Sequence, residues 1–316
     1  NTTMKTVGII GGSGFIGSYN TQKFLNEGYK LKVSTTDISK KEKYEHLLKF
    51  QHAENLEIVQ MNVENKLDLI NFLQGCSIVI HGGTPFQLDV KDPKTELFDP
   101  TIKGTENFLD AIQQTAGIEK VIFIASVAAY NTNFPLPPDD KAEEDSISET
   151  SEPFISEQSH PYAQAKFIAN QTVNKFIADN HNLNYEIVSV SPVSVVGKSL
   201  STRQDSTSSG LQFLFKNKIA PNPFVQMFYD KDPYFSVVDV ADIAEAIFKA
   251  VQKKSNHGKN YLLASESYRV SDLVLMLNNQ APAGASKIIY NNNLAKTDLE
   301  INFKPATESL KSFSAE

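Results

Sequence analysis

Two tyrosine–lysine pairs in this sequence have a spacing that suits acid–base chemistry. Tyr162 and Lys166 occur in YAQAK, and Tyr19 and Lys23 occur in YNTQK. Residues four apart share one face of a helix, so each lysine ammonium is expected one turn away from its tyrosine. A free tyrosine has a pKa of about 10, and a nearby positive charge favours the phenolate. Either pair is therefore a candidate for proton transfer to or from a substrate.

Ser126 is a further candidate, because it follows the apolar run Val121 to Ile124 in VIFIAS. Such a run predicts a buried strand, and a serine at its end emerges at the carboxyl edge of the sheet, where open α/β proteins bind ligands. There its hydroxyl can donate a hydrogen bond to a developing oxyanion. For Ser126 taken alone, a hydrogen bond within its own turn is the preferred alternative.

Residues 6–17 read TVGIIGGSGFIG, which predicts a strand, a glycine turn and the start of a helix. Gly12, Gly14 and Gly17 fit the spacing G-x-G-x-x-G, and Gly11 with the last two fits G-x-x-G-x-x-G. Such turns let the backbone approach a pyrophosphate, which then lies against the free amides of the helix N-terminus. The position between a first strand and a helix indicates dinucleotide binding.

The glycine turn separates the two tyrosine–lysine pairs. Tyr19 and Lys23 follow the turn directly, on the helix that would hold the phosphates, at the far end of a dinucleotide from its reactive ring. We therefore assign the acid–base role to Tyr162 and Lys166. We interpret Tyr19 and Lys23 as structural or surface residues.

With the glycine turn, Ser126 and Tyr162–Lys166 in this order, the sequence resembles the extended short-chain dehydrogenase/reductases of the NAD(P)-dependent epimerase/dehydratase superfamily. It is most similar to the dihydroflavonol-reductase-like group. The segments that resemble later landmarks of that group are VIHGGTPF (79–86), DPTIKGTEN (99–107), SPVSVVG (191–197), FSVVDVADIAEAI (235–247) and NFKPATESL (302–310). The resemblance implies that Tyr162 gives a proton to a substrate carbonyl. Lys166 would bind the nicotinamide ribose and tune Tyr162, and Ser126 would hydrogen-bond the carbonyl oxygen.

The same resemblance implies a cofactor site built from several segments. Asn62 stands where the family usually has an aspartate near the adenine, and Val63 would lie against that ring. Gly82 and Gly83 stand where relatives often have a bulkier residue, which predicts a looser wall. The predicted cofactor residues are Gly11, Ser13, Gly14, Phe15, Ile16, Gly17, Thr36, Asn62, Val63, Gly82, Gly83, Thr84, Lys166, Pro192 and Val195.

The end of the second predicted strand bears on the choice between NADP(H) and NAD(H). Thr36 stands where NADP-dependent relatives carry an arginine, and Thr35 where NAD-preferring epimerases carry an aspartate. Without a carboxylate at 35, nothing repels a 2′-phosphate, and the three lysines in segment 40–43 could attract one. Those lysines are equally consistent with a solvated helix start, and Asp37 is the alternative reader of the ribose. We predict NADP(H) over NAD(H).

Apolar runs and amphipathic stretches alternate along the chain, which predicts an α/β fold with a doubly wound, Rossmann-type parallel sheet. The predicted strands are 6–10, 30–34, 56–60, 77–80, 121–124 and 185–190. The predicted helices are 15–26, 40–50, 66–73, 101–115, 162–180 and 238–251. We assign residues 4–190 and about 235–262 to the dinucleotide-binding domain. Residues 191–234 and 263–316 would form a smaller C-terminal substrate lobe, whose phenylalanines favour an apolar or aromatic substrate.

Residues 134–160 read as a long surface loop rich in proline and acid, with eight carboxylates and one lysine. A loop of this length in a compact domain is uncommon. Because its ends adjoin Ser126 and Tyr162, one hypothesis is a mobile flap that orders over cofactor and substrate. An exposed loop without a role is an equally supported alternative.

Composition excludes several classes of partner. The 316 residues carry a net charge of −7, which argues against a nucleic-acid or anionic membrane surface, and no stretch has the roughly 20 apolar residues of a membrane helix. The single cysteine, Cys76, fits a reducing cytoplasm. The six histidines show no metal-ligand spacing, so we expect no metal. The chain is expected to be a monomer or a homodimer.

These observations predict an NAD(P)H-dependent reductase of a ketone or aldehyde that is apolar or aromatic. A nucleotide-sugar epimerase or dehydratase is the first alternative. Such enzymes commonly hold a diphosphate with arginines, and this chain has only Arg203 and Arg269. The second alternative is a non-catalytic dinucleotide sensor, which would not need Ser126, Tyr162 and Lys166 together.

Overall fold

The computed structural model describes residues 3–82, 90–201 and 207–314, with the backbone alone at 207–209. Its larger part is a parallel sheet of seven strands. These are β1 (Thr6–Ile10), β2 (Lys30–Thr35), β3 (Leu56–Gln60), β4 (Ile78–His81), β5 (Lys120–Ile124), β6 (Glu186–Pro192) and β9 (Asn260–Leu263). The order β3-β2-β1-β4-β5-β6-β9 reverses between β1 and β4, which confirms the doubly wound, Rossmann-type sheet.

Helices cover both faces of this sheet, which is why its central strands are apolar on both sides. They are α1 (Phe15–Asn26), α2 (Lys66–Leu73), α3 (Asp99–Gln113), α4 (Pro161–Asp179) and α7 (Val240–Gln252). α1 packs against α7 on one face, while α3 lies between α2 and α4 on the other. No helix within the described ranges has the length and apolar character to cross a bilayer.

The segment after β2 differs from the expected helix over 40–50. It forms two short 3₁₀ helices, Lys41–Lys43 and Glu45–Lys49, and a third follows at Ala53–Asn55. Between the first two, Tyr44 has φ −132° and ψ −2°, outside the helical range. Its ring is buried, and its hydroxyl donates a hydrogen bond to the Ile38 carbonyl oxygen at 2.6 Å. The helix that the residue pattern predicted is therefore interrupted at Tyr44, whose ring is buried.

A smaller sheet of three strands lies in the C-terminal part of the chain. Its strands are β7 (Ser194–Val196), β8 (Tyr234–Asp239) and β10 (Ser267–Arg269), in the order β10-β8-β7. The helices of this part are α5 (Thr207–Asn217), α6 (Pro223–Lys231), α8 (Val270–Leu277), α9 (Asn293–Leu299) and α10 (Ala306–Ser314). β8 is shared: Phe235 and Val237 pack in the smaller core, and Val238 packs in the larger one. The division into two domains remains a proposal, with β8 at its boundary.

The acidic loop 134–160 is attached to the rest of the protein at several points. Ile147 bonds through its backbone to Ile289 and Asn291, each at 2.8 Å. The Glu149 carboxylate accepts from the Leu262 amide of β9 at 3.0 Å. These contacts hold Ile147 and Glu149 against the rest of the protein, and the flap hypothesis for residues 134–160 stays a hypothesis.

Candidate active site

The glycine turn at the carboxyl end of β1 has the features of a phosphate site. α1 begins directly after Gly14, with no side-chain cap and no acidic residue in its first turn. Its first amides have no acceptor within the helix, and the helix dipole favours negative charge there. A Cβ on Gly17 would lie 2.0 Å from the Gly11 carbonyl oxygen, so only glycine lets α1 pack this closely on the turn. These residues fit the pyrophosphate of a dinucleotide.

Two side chains next to the glycine turn, Ser18 and His46, were not among the site residues predicted from the sequence. Ser18 Oγ donates a hydrogen bond to the Ser13 carbonyl oxygen at 3.0 Å. It also lies 2.8 Å from His46 Nε2, which comes from the 3₁₀ segment after β2. No motif spacing signals a contact between residues so far apart in the chain. Of the other predicted turn residues, Phe15 is buried and Ile16 is partly buried.

The end of β4 lies closely against the glycine turn. Gly82 donates its amide hydrogen to the Ile10 carbonyl oxygen at 2.9 Å. A Cβ on Gly82 would lie 2.6 Å from that same oxygen. Glycine at 82 therefore permits close packing of β4 on β1, and the looser cofactor wall expected at Gly82 and Gly83 stays a prediction. Gly83 and Thr84, which were also predicted to bind cofactor, lie outside the described residues.

Thr36 follows β2 and is exposed. The next residue is Asp37, whose carboxylate accepts hydrogen bonds from Ser39. Asp37 Oδ1 accepts from the Ser39 amide at 3.0 Å and from Ser39 Oγ at 2.6 Å. These hydrogen bonds lower the pKa of Asp37, and the charges of Lys40 and Lys43 lower it further. Asp37 is thus bound to its own turn, and two lysines lie close enough to add positive charge beside Thr36.

The remaining predicted residues for the two ends of the cofactor lie at the carboxyl ends of their strands. Asn62 and Val63 follow β3 and are exposed, and Asn62 Oδ1 accepts from the Glu64 amide at 3.0 Å. Pro192 ends β6, and Val195 lies within β7. Both of these side chains are buried, so they contribute to packing in the protein as it stands.

Ser126 follows β5 at the carboxyl edge of the sheet, as predicted. Its Oγ accepts a hydrogen bond from the Ala128 amide at 3.1 Å and caps the short 3₁₀ helix Val127–Ala129. The structure thus contains the turn bond that the alternative reading expected. A hydroxyl that accepts one bond still carries its own proton, so Ser126 remains able to donate to a second partner.

Helix α4 brings Tyr162 and Lys166 to this edge. It begins at Pro161, and His160 Nδ1 accepts from the Tyr162 amide at 3.1 Å. α4 packs against the 3₁₀ helix that Ser126 caps. Lys166 Nζ lies 5.6 Å from the centre of the Tyr162 ring. The predicted serine, tyrosine and lysine are therefore carried by two elements in direct contact.

Burial sets the charge state of this pair. It raises the pKa of Tyr162 to about 12 and lowers the pKa of Lys166 to about 8. His81, at the end of β4, packs against the rings of Phe108 at 4.5 Å and Phe123 at 5.3 Å. Burial and then the charge of Lys166 lower the pKa of His81 to about 4, so its imidazole is neutral. In the protein alone, burial outweighs the expected effect of Lys166, and Tyr162 keeps its proton.

The second pair has a different environment. Tyr19 donates its hydroxyl proton to the Lys198 carbonyl oxygen at 2.6 Å. Lys23 Nζ bonds to Glu27 at 3.0 Å and to Glu245 at 2.7 Å. These contacts tie α1 to α7 and to the segment after β7, which agrees with the structural interpretation of the pair. Across the part of the chain that the structure describes, no group of three or more His, Cys, Asp or Glu is placed to hold a metal ion.

Comparisons with known proteins agree on one family. The model of the NAD dependent epimerase/dehydratase family matches residues 7–264. Cinnamoyl-CoA reductase CAD2 of Medicago truncatula is 28% identical over 278 residues, covering 87% of this chain and 80% of that protein. An anthocyanidin reductase of Vitis vinifera is 25% identical, covering 88% and 81%. The crystal structure of Gre2 from Candida albicans in complex with NADPH superposes with a TM-score of 0.80 at 25% identity, covering 98% and 97%. The predicted resemblance to dihydroflavonol-reductase-like extended enzymes is confirmed.

Proposed function

Because the chain belongs to the NAD dependent epimerase/dehydratase family, we propose that it is an NADPH-dependent reductase of a ketone or aldehyde. The observation that carries this proposal is the arrangement of α4. It places Tyr162 and Lys166 against the element that Ser126 caps, at the sheet edge where the glycine turn also lies. The relatives described above are reductases by name, which supports the same class of reaction.

The protein's own groups have complementary tasks in such a reaction. A bound NADPH would supply the hydride, and the amides of the glycine turn would hold its pyrophosphate. Ser126 donates a hydrogen bond to the substrate carbonyl oxygen, where negative charge develops. Tyr162 donates a proton to that oxygen. Tyr162 carries this proton at pH 7 because burial raises its pKa to about 12. Lys166, with a pKa of about 8, stays mainly charged at pH 7 and both holds the ribose and favours the tyrosinate that remains.

The choice of NADPH over NADH rests on the end of β2. Asp37 Oδ1 accepts two hydrogen bonds from Ser39, which hold the carboxylate in its own turn, and the charges of Lys40 and Lys43 lie near enough to lower its pKa. Gre2, with the same fold, is described as an NADPH complex.

Thr36→Arg should lower the KM for NADPH, because a guanidinium fork pairs well with a phosphate. Thr35→Asp should favour NADH by repelling the 2′-phosphate. A native protein that strongly prefers NADH would contradict this choice.

The alternative of a nucleotide-sugar epimerase or dehydratase finds less support in the structure. Arg269 Nη1 bonds to Glu143 at 3.2 Å, and its guanidinium lies over the Tyr234 ring at 4.3 Å. Arg269 is therefore paired with a carboxylate and an aromatic ring in this structure. Arg203 lies outside the described residues. A dinucleotide sensor without activity would leave the arrangement of Ser126, Tyr162 and Lys166 without a purpose.

A turnover screen tests the proposal. Purified protein is given NADPH or NADH with a panel of aryl and alkyl carbonyls, and with UDP-sugars as the comparison set. Oxidation of NADPH that depends on a carbonyl supports the reductase. Conversion of UDP-sugars without any carbonyl reduction would replace it with the epimerase or dehydratase. Cofactor binding with no turnover of either set would favour the sensor.

A further inference from the structure

An exposed phenylalanine of the smaller lobe lies beside the start of α4. Phe224 is the second residue of α6, and 46% of its surface is exposed. Its ring lies 5.6 Å from the ring of His160 and 4.9 Å from that of Phe228, which is only 2% exposed. A single exposed aromatic ring needs no explanation by itself. The position of Phe224 is informative because of what His160 contacts.

His160 connects this ring to Tyr162. Its Nδ1 accepts a hydrogen bond from the Tyr162 amide at 3.1 Å, so the imidazole is held at the first turn of α4. Burial lowers the pKa of His160, which favours the neutral ring that this bond requires. One edge of the imidazole is thus fixed to the backbone of Tyr162, and Phe224 lies against the ring.

The other aromatic rings of the lobe are already used in its core. Phe215, Phe228 and Phe235 pack edge to face, with ring centres 5.6–5.9 Å apart. The expectation that a phenylalanine-rich lobe faces an apolar substrate therefore applies to few of its rings. Phe224 keeps an open surface while it contacts the element that carries Tyr162.

We propose that Phe224 and His160 form an aromatic wall of the substrate site and select carbonyl compounds with a flat, apolar group next to the carbonyl. This inference rests on the proposed reductase activity and deepens it. A planar ring held at Tyr162 would pack against Phe224 and His160, and pairs of aromatic rings gain from edge-to-face or offset contact beyond the area they bury. A short alkyl carbonyl would reach Ser126 and Tyr162 without using this wall.

The decisive measurement is the ratio of kcat/KM for an aryl aldehyde to that for a short alkyl aldehyde, both with NADPH. Phe224→Ala should lower this ratio about five- to tenfold, mainly through the KM of the aryl substrate, given the usual size of aromatic contacts. His160→Asn removes the imidazole but keeps a side-chain oxygen that can accept from the Tyr162 amide, so it should lower the ratio in the same direction. Phe224→Tyr keeps an aromatic ring at this position and should leave the ratio near the wild-type value.

Phe213 provides a matched control, because it is also an exposed phenylalanine of the lobe, at 44%, but lies on α5. Phe213→Ala should leave the ratio unchanged, and thermal unfolding should show that each variant is folded. An unchanged ratio in Phe224→Ala, or an equal fall in Phe213→Ala, overturns the wall while the reductase proposal stands. A wild-type protein that reduces neither aldehyde overturns both.

Discussion

The two tyrosine–lysine pairs share a spacing but have opposite surroundings. On α1, Lys23 is bonded to Glu27 and Glu245, and Tyr19 is bonded to the Lys198 carbonyl. On α4, no carboxylate in the described part of the chain offsets the burial of Lys166, whose Nζ lies over the Tyr162 ring. Lys23 is thus neutralised by two carboxylates, whereas the charge of Lys166 has no carboxylate to offset its burial in the described part of the chain.

The pKa values show what this difference means. Burial alone would lower the pKa of Lys23, but hydrogen bonds to Glu245 and Glu27 outweigh burial and raise it. Burial lowers the pKa of Lys166 to about 8. An ion-paired lysine stabilises the contact between two helices, whereas an unpaired one is available to a ligand. The spacing identifies the residue types, and the surroundings decide which pair can do chemistry.

The largest expected difference between the pairs is in turnover. Tyr162→Phe should lower kcat by about two to four orders of magnitude, the usual span for a lost general acid, and leave NADPH affinity nearly unchanged. Tyr19→Phe should change kcat little. Steady-state kinetics and NADPH binding by fluorescence measure both. Loss of activity in Tyr19→Phe together with an active Tyr162→Phe would reverse the assignment.

The lysines should differ both in turnover and in cofactor binding. Lys166→Met should lower kcat by about two orders of magnitude, because Tyr162 loses its positive neighbour. It should also weaken NADPH binding about tenfold or more, as expected for a lost hydrogen bond to a charged group. Lys23→Met is the control, and both quantities should stay near the wild-type values. If Lys166→Met altered kcat alone, its role at the ribose would be wrong.

Stability should respond in the opposite direction to activity. The pKa of Lys166 is lower in the folded protein than in the unfolded chain, so the folded state opposes its charge at pH 7, and stability rises with pH between about 8 and 10.5. Lys166→Met should therefore stabilise the ligand-free protein at pH 7 by about 1–3 kcal/mol, with the gain disappearing towards pH 10.5. Urea unfolding at a series of pH values measures this difference. A gain that does not change with pH would show that the charge of Lys166 is not its cause.

The smallest expected effect concerns the other lysine. Lys23→Met removes two partly exposed ion pairs, which should cost less than about 1 kcal/mol at pH 7. Added salt should shrink this cost, because screening weakens exposed pairs. The same urea titration measures it at low and high salt. A larger, salt-independent loss would mean that the contact of the ammonium with the Phe248 ring, 4.9 Å from Nζ, matters more than the two ion pairs.

The sheet and its first helices were predictable because local pattern determines them. The predicted bounds 6–10, 56–60, 15–26 and 66–73 are the observed bounds of β1, β3, α1 and α2. β1 is an apolar run buried on both faces, while β3, α1 and α2 show the alternation and helical spacing that local pattern predicts. The pattern over 40–50 predicted one helix, whereas the structure has two short 3₁₀ helices separated by the non-helical backbone of Tyr44.

Contacts between distant segments explain the rest of what was missed. The hydrogen bond between Ser18 and His46, the aromatic contact between His160 and Phe224, and the attachment of Glu149 each join two separate segments. None of them leaves a periodic signal in the sequence. For the same reason, the placement of Ser126 was predictable from its strand, while its bond to Ala128 was one of two open alternatives.

The attachment of Glu149 has a consequence for how copies of this protein meet. β9 is the last strand of the large sheet, and its outer backbone groups would otherwise be open to another strand. The Glu149 carboxylate takes the Leu262 amide, and the Tyr130 hydroxyl donates to the Asn260 carbonyl oxygen at 3.2 Å. These two side chains thus bind backbone groups that a neighbouring strand would use, and Glu149 belongs to the acidic loop 134–160, whose negative charge would repel a second copy of itself. Another strand pairing with β9 would have to displace these two hydrogen bonds, which disfavours strand-to-strand aggregation at this edge.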